Sequence, residues 1–176
     1  MCRVLEESAT SKALRQTFGK FATGVAVVTA RDHQRRLIGM TINSFCSISL
    51  NPALMSWCVN RAALSYMDFA NCTDFTITVL AANQREIADR FARRGGNKFE
   101  GITDDGVGSP AIAGGCAVFC CDSYNRILLG DHMMLIGKVN QFEQYNREPL
   151  IFTQGELVEY VRTNESFRRA SGLCAG

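Results

Sequence analysis

The segment with the most evident chemistry is residues 39–52, GMTINSFCSISLNP, which lies inside an uncharged stretch from Leu37 to Asn60. Neutral hydroxyl and amide groups at this density are suited to bind the carbonyls and ring nitrogens of a large, flat, mostly uncharged ligand. A membrane span is excluded, because a span needs about 20 predominantly apolar residues and polar groups interrupt this stretch. Its hydrogen-bonding side chains are Thr41, Asn43, Ser44, Ser47, Ser49 and Asn51.

Alternating faces are predicted over residues 40–50, because successive side chains of a strand point to opposite sides. One face is apolar apart from Ser44, and we expect it to face a core; it carries Met40, Ile42, Cys46, Ile48 and Leu50. The opposite face carries Phe45 and four polar residues, Thr41, Asn43, Ser47 and Ser49. An ordinary solvent-facing strand is the alternative, but such a strand normally includes Lys, Glu or Arg. The lack of charge favours a ligand-binding face.

Two candidate anion sites follow along the chain. CVNRAALS leads into a predicted helix whose free N–H groups are suited to a phosphate, assisted by Asn60, Arg61 or Ser65. The second site is DRFARRGGNK, which offers Arg90, Arg93, Arg94 and Lys98 for a phosphate or pyrophosphate. The alternative for these cations is a solvated helix end, where positive charge complements the helix dipole.

The composition excludes several classes of protein. A net charge of +2 with 20% charged residues gives no sign of nucleic-acid or anionic-membrane binding. The N-terminal sequence has no continuous apolar core, so we expect no secretory signal and a cytoplasmic location. The eight cysteines include no C-x-x-C pair, and we interpret them as buried or incidental thiols. We expect no metal site, because the conceivable zinc set contains adjacent cysteines that seldom reach one metal; it is Cys116, Cys120, Cys121 and His132.

Strands and short helices alternate irregularly along the chain. We predict helices over about 11–21, 61–72 and 83–94, with Leu64 and Met67 of the second facing inward. Strands are predicted over GVAVVTA, from Ile38 onward, over ALMSWCVN and DFTITVLA, and in three later segments, GCAVFCCDSYNRIL, DHMMLIGKVNQFEQY and LIFTQGELVEY. A parallel nucleotide-binding sheet is disfavoured, since no G-x-G-x-x-G follows a strand.

This order of elements favours a mainly β fold with helices, built as a small closed barrel with antiparallel connections. No internal repeat or linker divides the chain. We therefore expect a single domain over residues 1–176, with a core of about 14–160 and flexible tails at 1–10 and 165–176.

Four blocks, in this order and spacing, resemble the flavin reductase family, the small NAD(P)H:flavin oxidoreductases that serve two-component flavin-dependent monooxygenases. The blocks are GMTINSFCSISLNPALMSWCVN, FTITVLAANQREIADRFA, NKFEG and GDHMMLIGKV, and the likeness runs from about Leu14 to Tyr160. The resemblance implies a Greek-key split β-barrel of the FMN-binding type, usually a homodimer. It also implies hydride transfer from NADH or NADPH to FMN or FAD, with reduced flavin passing to a partner oxygenase by contact or by diffusion.

The resemblance also implies which residues bind the flavin. Five consecutive residues and Ser47 match the part of the motif that holds the isoalloxazine and ribityl groups: Met40, Thr41, Ile42, Asn43 and Ser44. A second set matches the portion along the ribityl phosphate: Cys58, Val59, Asn60, Arg61 and Ser65. A third set matches another flavin-contacting stretch: Ala81, Ala82, Gln84, Arg90 and Phe91.

His132, in GDH, matches a histidine that lies beside the nicotinamide in relatives, so the resemblance implies a catalytic role in which it positions the nicotinamide amide or the phosphates and modulates charge near the flavin. The alternative is a hydrogen-bonded structural histidine at the start of a strand. His33, in a charged hairpin, is interpreted as a surface residue. The segment after the PL dipeptide departs from the aromatic, glycine-rich tail of many relatives, which leaves the choice of pyridine nucleotide open.

No nucleophile–base pair or carboxylate dyad is found, and none is needed where cofactors carry the bond chemistry and the protein supplies orientation and electrostatics. Backbone N–H groups of residues 40–44 are candidates to stabilise negative charge at the flavin N1–C2=O edge. Two rival functions stay open: a split-barrel oxidase with a retained flavin, and a flavin carrier or sensor that is not an enzyme. The sequence does not distinguish FMN from FAD, NADH from NADPH, or one partner oxygenase from another.

Overall fold

The structure is a computed structural model that describes residues 10–102 and 109–158. The expectation of flexible tails falls almost entirely on residues 1–9 and 165–176, which lie outside the described ranges. The helices are α1 (Thr10–Phe18), α2 (Tyr66–Asn71) and α3 (Arg85–Ala92). The strands are β1 (Thr23–Gly24), β2 (Ala26–Arg31), β3 (Leu37–Ile42), β4 (Cys46–Leu50), β5 (Ala53–Asn60), β6 (Asp74–Val79), β7 (Ala117–Leu129), β8 (His132–Gln144), β9 (Ile151–Thr153) and β10 (Glu156–Val158).

Seven antiparallel strands form one sheet in the order β3-β2-β6-β7-β8-β5-β4. Its two outermost strands, β3 and β4, are joined by residues 43–45 alone, so the sheet must curl until its opposite edges meet. At this seam the Cys58 backbone N–H donates to Ser44 Oγ (2.9 Å), which ties the connection to β5. The result is the predicted split β-barrel, and a small sheet of β1, β9 and β10 lies beside it.

The position of strand β2 explains why GVAVVTA is apolar except for Thr29, because both faces of the strand are buried. Ala26, Val28 and Ala30 belong to the barrel core, which is centred on the fully buried Trp57. Val27 belongs to a second core, between the sheet and α3. In the barrel core, Phe69 and Phe75 meet the Trp57 ring edge to face at centroid distances of 5.0 and 5.8 Å, a geometry worth about 0.5–1.5 kcal/mol per pair beyond burial.

Helix α2 is shorter than the predicted helix over residues 61–72. Asn60 does not cap it: Asn60 Oδ1 accepts from the Ala62 backbone N–H (2.8 Å) and closes a turn. The prediction that Leu64 and Met67 face inward is wrong, because the helix begins only at Tyr66 and Phe69 fills the core position. Leu64 is 76% exposed and Met67 63% exposed.

Residues 40–50 are two strands rather than one, and the prediction of a single core-facing side is only half right. Ile42 is buried and Met40 packs against the barrel core. Three residues of the same parity are exposed, Cys46, Ile48 and Leu50. They are exposed because β4 is an edge strand that pairs only with β5, with a register shift between Ser47 and Ser49.

The six cysteines in the described ranges are free thiols. Burial raises the pKa of Cys72 to about 11 and that of Cys121 to about 12, so neither forms the reactive thiolate near neutral pH. Cys46, by contrast, is exposed on β4. No helix in these ranges is both long and apolar enough to span a bilayer.

Iodoacetamide at pH 8 should alkylate Cys46 within minutes and leave Cys72 and Cys121 unmodified until denaturant is added. The reason is that alkylation requires an accessible thiolate. Peptide mapping by mass spectrometry separates these sites from the other cysteines. Modification of Cys121 in the native protein at the rate of Cys46 would show that the barrel opens readily.

Candidate functional site

A cavity of about 510 Å³ lies on β3 and is called the basic cavity here because two arginines and a lysine line it. Its floor is residues 37–41 of β3; one wall is the turn at residues 60–65 and the other is residues 91–99. Five of the predicted flavin-binding residues line it: Met40, Thr41, Asn60, Ser65 and Phe91. The volume falls in the range of about 300–1,000 Å³ usual for small-molecule sites.

A second cavity, of about 580 Å³, lies between the end of β3, helix α3 and the β9–β10 hairpin, and is called the hairpin cavity. Thr41 and Ile42 line it from β3, Asn43 from the connection after β3, and Phe152 and Leu157 from the hairpin. The two cavities share Thr41 and Ala92. Between them, Thr41 Oγ1 donates to the Ala88 carbonyl (2.6 Å), so one hydroxyl joins β3 to α3 where the cavities meet.

Thr41→Val should lower the free energy of unfolding by about 1 kcal/mol, because it removes one intramolecular hydrogen bond while keeping the shape of the side chain. Chemical denaturation measures the change. The matched control is Thr17→Val, which removes a similar hydroxyl-to-carbonyl bond (to Ala13, 2.8 Å) within the exposed helix α1. We expect the control to change stability by less than about 0.5 kcal/mol, and equal losses in the two variants would contradict a special role for Thr41.

Several predicted site residues line neither cavity. Val59 and Ala81 are buried in the fold, and Ser44 is bonded to Cys58 at the barrel seam. The buried Gln84 side chain accepts from the Ala81 N–H (2.9 Å) and donates to the Ala113 carbonyl (2.8 Å). The others in this group are Ser47, Cys58, Arg61, Ala82, Arg90 and His132. Their contacts with the flavin or the nicotinamide stay predictions.

His132 begins β8 and lies directly opposite Asn60 of β5 in the sheet register. Its Nδ1 donates to Asp131 Oδ1 (2.7 Å), and the Asp131 carbonyl accepts from the Arg61 N–H (2.9 Å). The hydrogen bond from His132 is the main cause that lowers the pKa of Asp131. Because the carboxylate holds Nδ1–H, Nε2 is left available to a ligand. The structure thus places three predicted site residues next to one another: Asn60, Arg61 and His132.

Asp131 is the functional candidate that the sequence reasoning missed. It lies in the GDH block next to His132, and this adjacency was the available signal. The lining residues of the β9–β10 hairpin were missed as well, since their approach to β3 is a long-range contact. Cys116, Cys120, Cys121 and His132 do not form a group of metal ligands; within the described ranges the one such group is Asp32, His33 and Asp68, where the Asp32 carboxylate already accepts from Arg36.

Residues 18–160 match the family profile described as the flavin reductase like domain. This match covers most of the chain, which therefore belongs to that family. The FMN reductase (NADH) SmoA of Agrobacterium fabrum is 36% identical over 156 residues, covering 86% of this chain and 87% of SmoA. Among solved structures, the NADH:FAD oxidoreductase SgcE6 of Streptomyces globisporus, in complex with NAD and FAD fragments, superposes with a TM-score of 0.83 at 30% identity, covering 93% of this chain and all of that one.

Other curated relatives are longer than this chain. The reductase component of the flavin-dependent trigonelline monooxygenase of Acinetobacter baylyi is 38% identical over 133 residues, which are 74% of this chain but 43% of that protein. The chain likewise spans 47% of a probable flavin reductase from Rhizobium meliloti.

Proposed function

We propose that this chain is a cytoplasmic NAD(P)H-dependent flavin reductase that transfers hydride from a nicotinamide nucleotide to FMN or FAD and supplies reduced flavin to a partner monooxygenase. The observation that carries the proposal is the pair of cavities that flank the uncharged end of β3 and share Thr41. Two adjoining cavities offer space for two nucleotides side by side, as a reaction between them needs their rings in contact. The names of the relatives, an FMN reductase, an NADH:FAD oxidoreductase and a monooxygenase reductase component, support the same activity.

The donor set around β3 fits a flavin. Asn43 presents an exposed side-chain amide, and Asn60 uses only its oxygen in the turn, which leaves its NH₂ free to donate. Ser65 adds a hydroxyl to the same cavity as Asn60. Neutral amides and hydroxyls match the carbonyls and ring nitrogens of a flavin, and the cations on the same lining are confined to residues 93–98. Neutral contacts to the ring, with one charged clamp for a phosphate, suit a flavin that exchanges.

When bound, the flavin supplies the acceptor for hydride from the reduced nicotinamide. The chain supplies position: Thr41 holds β3 against α3, and Phe99, packed on the buried Phe91 ring, gives the basic cavity an apolar wall. Asp131 holds Nδ1 of His132, so that Nε2 is the ring nitrogen that would be offered to the nicotinamide nucleotide. Holding two reactants in register accounts for a large part of such a rate enhancement.

We also propose that the chain works as a homodimer. The outer half of β7, residues 124–129, pairs with no described strand except β8, because β6 pairs with residues 117–122 and the Ser123 N–H donates to the Thr73 carbonyl. Large apolar side chains are exposed on this long hairpin: Tyr124, Leu128, Leu129 and Phe142. An open strand edge with exposed apolar groups is suited to a second copy of the same hairpin. Sedimentation equilibrium tests the stoichiometry.

The function is tested by mixing the protein with each of NADH and NADPH and each of FMN and FAD, and following the loss of absorbance of the reduced nicotinamide. Multiple turnovers with free flavin are expected. Bleaching of a co-purified flavin by an organic substrate, without any nicotinamide nucleotide, would instead show that the chain is an oxidase. Flavin binding without any reaction would show that it is a flavin carrier or sensor.

His132→Asn should raise the KM for the nicotinamide nucleotide by about 10-fold and leave the Kd for FMN within about twofold, because one hydrogen bond to the nucleotide is lost. The matched control is His33→Asn, on an exposed hairpin residue, which should leave both constants unchanged. An equal loss of FMN affinity would assign His132 to the flavin rather than to the nicotinamide.

A further inference from the structure

The four cations of residues 90–98 fall into two groups with different surroundings. Arg90 donates to the Glu100 carbonyl (3.0 Å) and does not line the basic cavity. Lys98 donates to two carbonyls, that of Gly39 (3.2 Å) and that of Phe91 (3.0 Å). Arg93 and Arg94 are exposed on the cavity lining and have no hydrogen-bond or salt-bridge partner in the part of the chain that the structure describes.

The bonds of Lys98 join β3 to the end of α3. Gly39 belongs to the floor of the basic cavity, and Phe91 closes the last turn of the helix. Phe99, the next residue, packs edge to face on Phe91 with ring centroids 5.2 Å apart. The half-buried ammonium is therefore part of the cavity wall. Moving it onto a ligand would leave both carbonyls without this donor.

The arginines, in contrast, present free guanidinium groups. A guanidinium offers a planar fork of N–H donors that matches phosphate oxygens. Gly95 and Gly96 follow with φ of 71° and 78°, a left-handed pair that turns the chain back so that Arg93, Arg94 and Lys98 line one cavity. Among the described residues on that lining, Asp68 is the only acidic one, and the opposite wall offers neutral donors from Asn60 and Ser65.

We infer that Arg93 and Arg94 bind a phosphate or pyrophosphate group of a nucleotide in the basic cavity, and that Lys98 is a positioning residue that holds the wall carrying them. The inference rests on the proposed function, because the nucleotides are those of that reaction. The phosphate could belong to the flavin or to the nicotinamide nucleotide, and the experiment distinguishes the two sources.

The experiment measures equilibrium binding by calorimetry, without turnover, for ligands paired by the presence of phosphate. The pairs are FMN with riboflavin, and NADH with 1-methyl-1,4-dihydronicotinamide. The double variant Arg93→Ala/Arg94→Ala should lose about 10-fold or more in affinity for the phosphate-bearing member of one pair and less than about twofold for its phosphate-free partner. The pair that responds identifies the source of the phosphate.

Lys98→Met should weaken the binding of both ligands of the responding pair by a similar factor. It should also lower the melting temperature, because it removes the hydrogen bonds that join β3 to α3. Its matched control is Lys138→Met, at an exposed position of β8, which should change neither quantity. A selective loss of the phosphate-bearing ligand in Lys98→Met would overturn the positioning role. If the double variant leaves the ratio of affinities for the phosphate-bearing and the phosphate-free ligand unchanged in both pairs, the assignment of the arginines is overturned. If FMN binding depends on these arginines but NADH does not reduce FMN, the proposed function fails and this inference stands.

Discussion

Phe91→Ala is expected to lower the free energy of unfolding by about 3–5 kcal/mol, the usual cost of truncating a buried aromatic ring. Phe91 is fully buried between the sheet and α3, where it packs with Leu80, Ala88 and Leu150. The cavity left behind cannot collapse easily, because Lys98 and the Phe99 ring hold the surrounding wall. A loss of this size is a large share of the roughly 5–15 kcal/mol that stabilises a typical domain. Urea denaturation followed by circular dichroism measures it.

The matched control is Phe18→Ala, which truncates the same ring at a position that is 69% exposed at the end of α1. We expect a change within about 0.5 kcal/mol there. A loss below about 1 kcal/mol for Phe91→Ala would mean that the packing between α3 and the sheet is loose in solution.

Gly39→Ala is the second large effect, because a Cβ at this position would lie 2.6 Å from Phe91 Cε1 and 3.0 Å from Phe99 Cζ. Alanine is otherwise the better residue in a strand interior, by about 0.5–1 kcal/mol. Overpacking costs about 1–3 kcal/mol, and here the contact is with a ring fixed in a core. We therefore expect net destabilisation of about 1–2 kcal/mol.

The same substitution should weaken FMN binding, since Gly39, Phe91 and Phe99 all line the basic cavity. Denaturation gives the stability change and calorimetry the affinity change. Gly24→Ala is the control, because a Cβ on that exposed strand residue meets no atom within 4 Å. If Gly39→Ala matches the control in both measurements, the two rings move aside and the cavity wall is not rigid.

Local sequence patterns predicted most of the elements. The segment ALMSWCVN coincides with β5, Ala53–Asn60, and the helical spacing of Ile87 and Phe91 falls within α3. The alternation in DFTITVLA marked β6, but it did not show that Thr76 and Thr78 are buried as well as Phe75 and Ile77. Their hydroxyls bond a loop from a distant part of the chain: Thr76 donates to the Ser109 carbonyl and Thr78 accepts from the Ile112 N–H.

Predictions that depended on the surroundings of an element were less reliable. Cys46, Ile48 and Leu50 alternate as core residues do, yet β4 lies at a sheet edge with nothing described over it. The basic cluster looked uniform in sequence, yet only two of its cations are unpartnered in the described structure. The residues implied by the family resemblance also fall into two groups. Five line the basic cavity, whereas the side chains of Gln84 and Ser44 hydrogen-bond backbone groups of the fold.

By itself the sequence determined the mainly β class, the position of most strands and the uncharged character of residues 37–60, because these depend on side-chain type and short-range period. Its four motif blocks also determined the family, since their order and spacing are properties of the chain alone. Only the tertiary structure decided where the cavities lie and which donors face them. The reason is that contacts such as Lys98 with Gly39, Thr41 with Ala88 and His132 opposite Asn60 join residues far apart in sequence, and no local pattern encodes them.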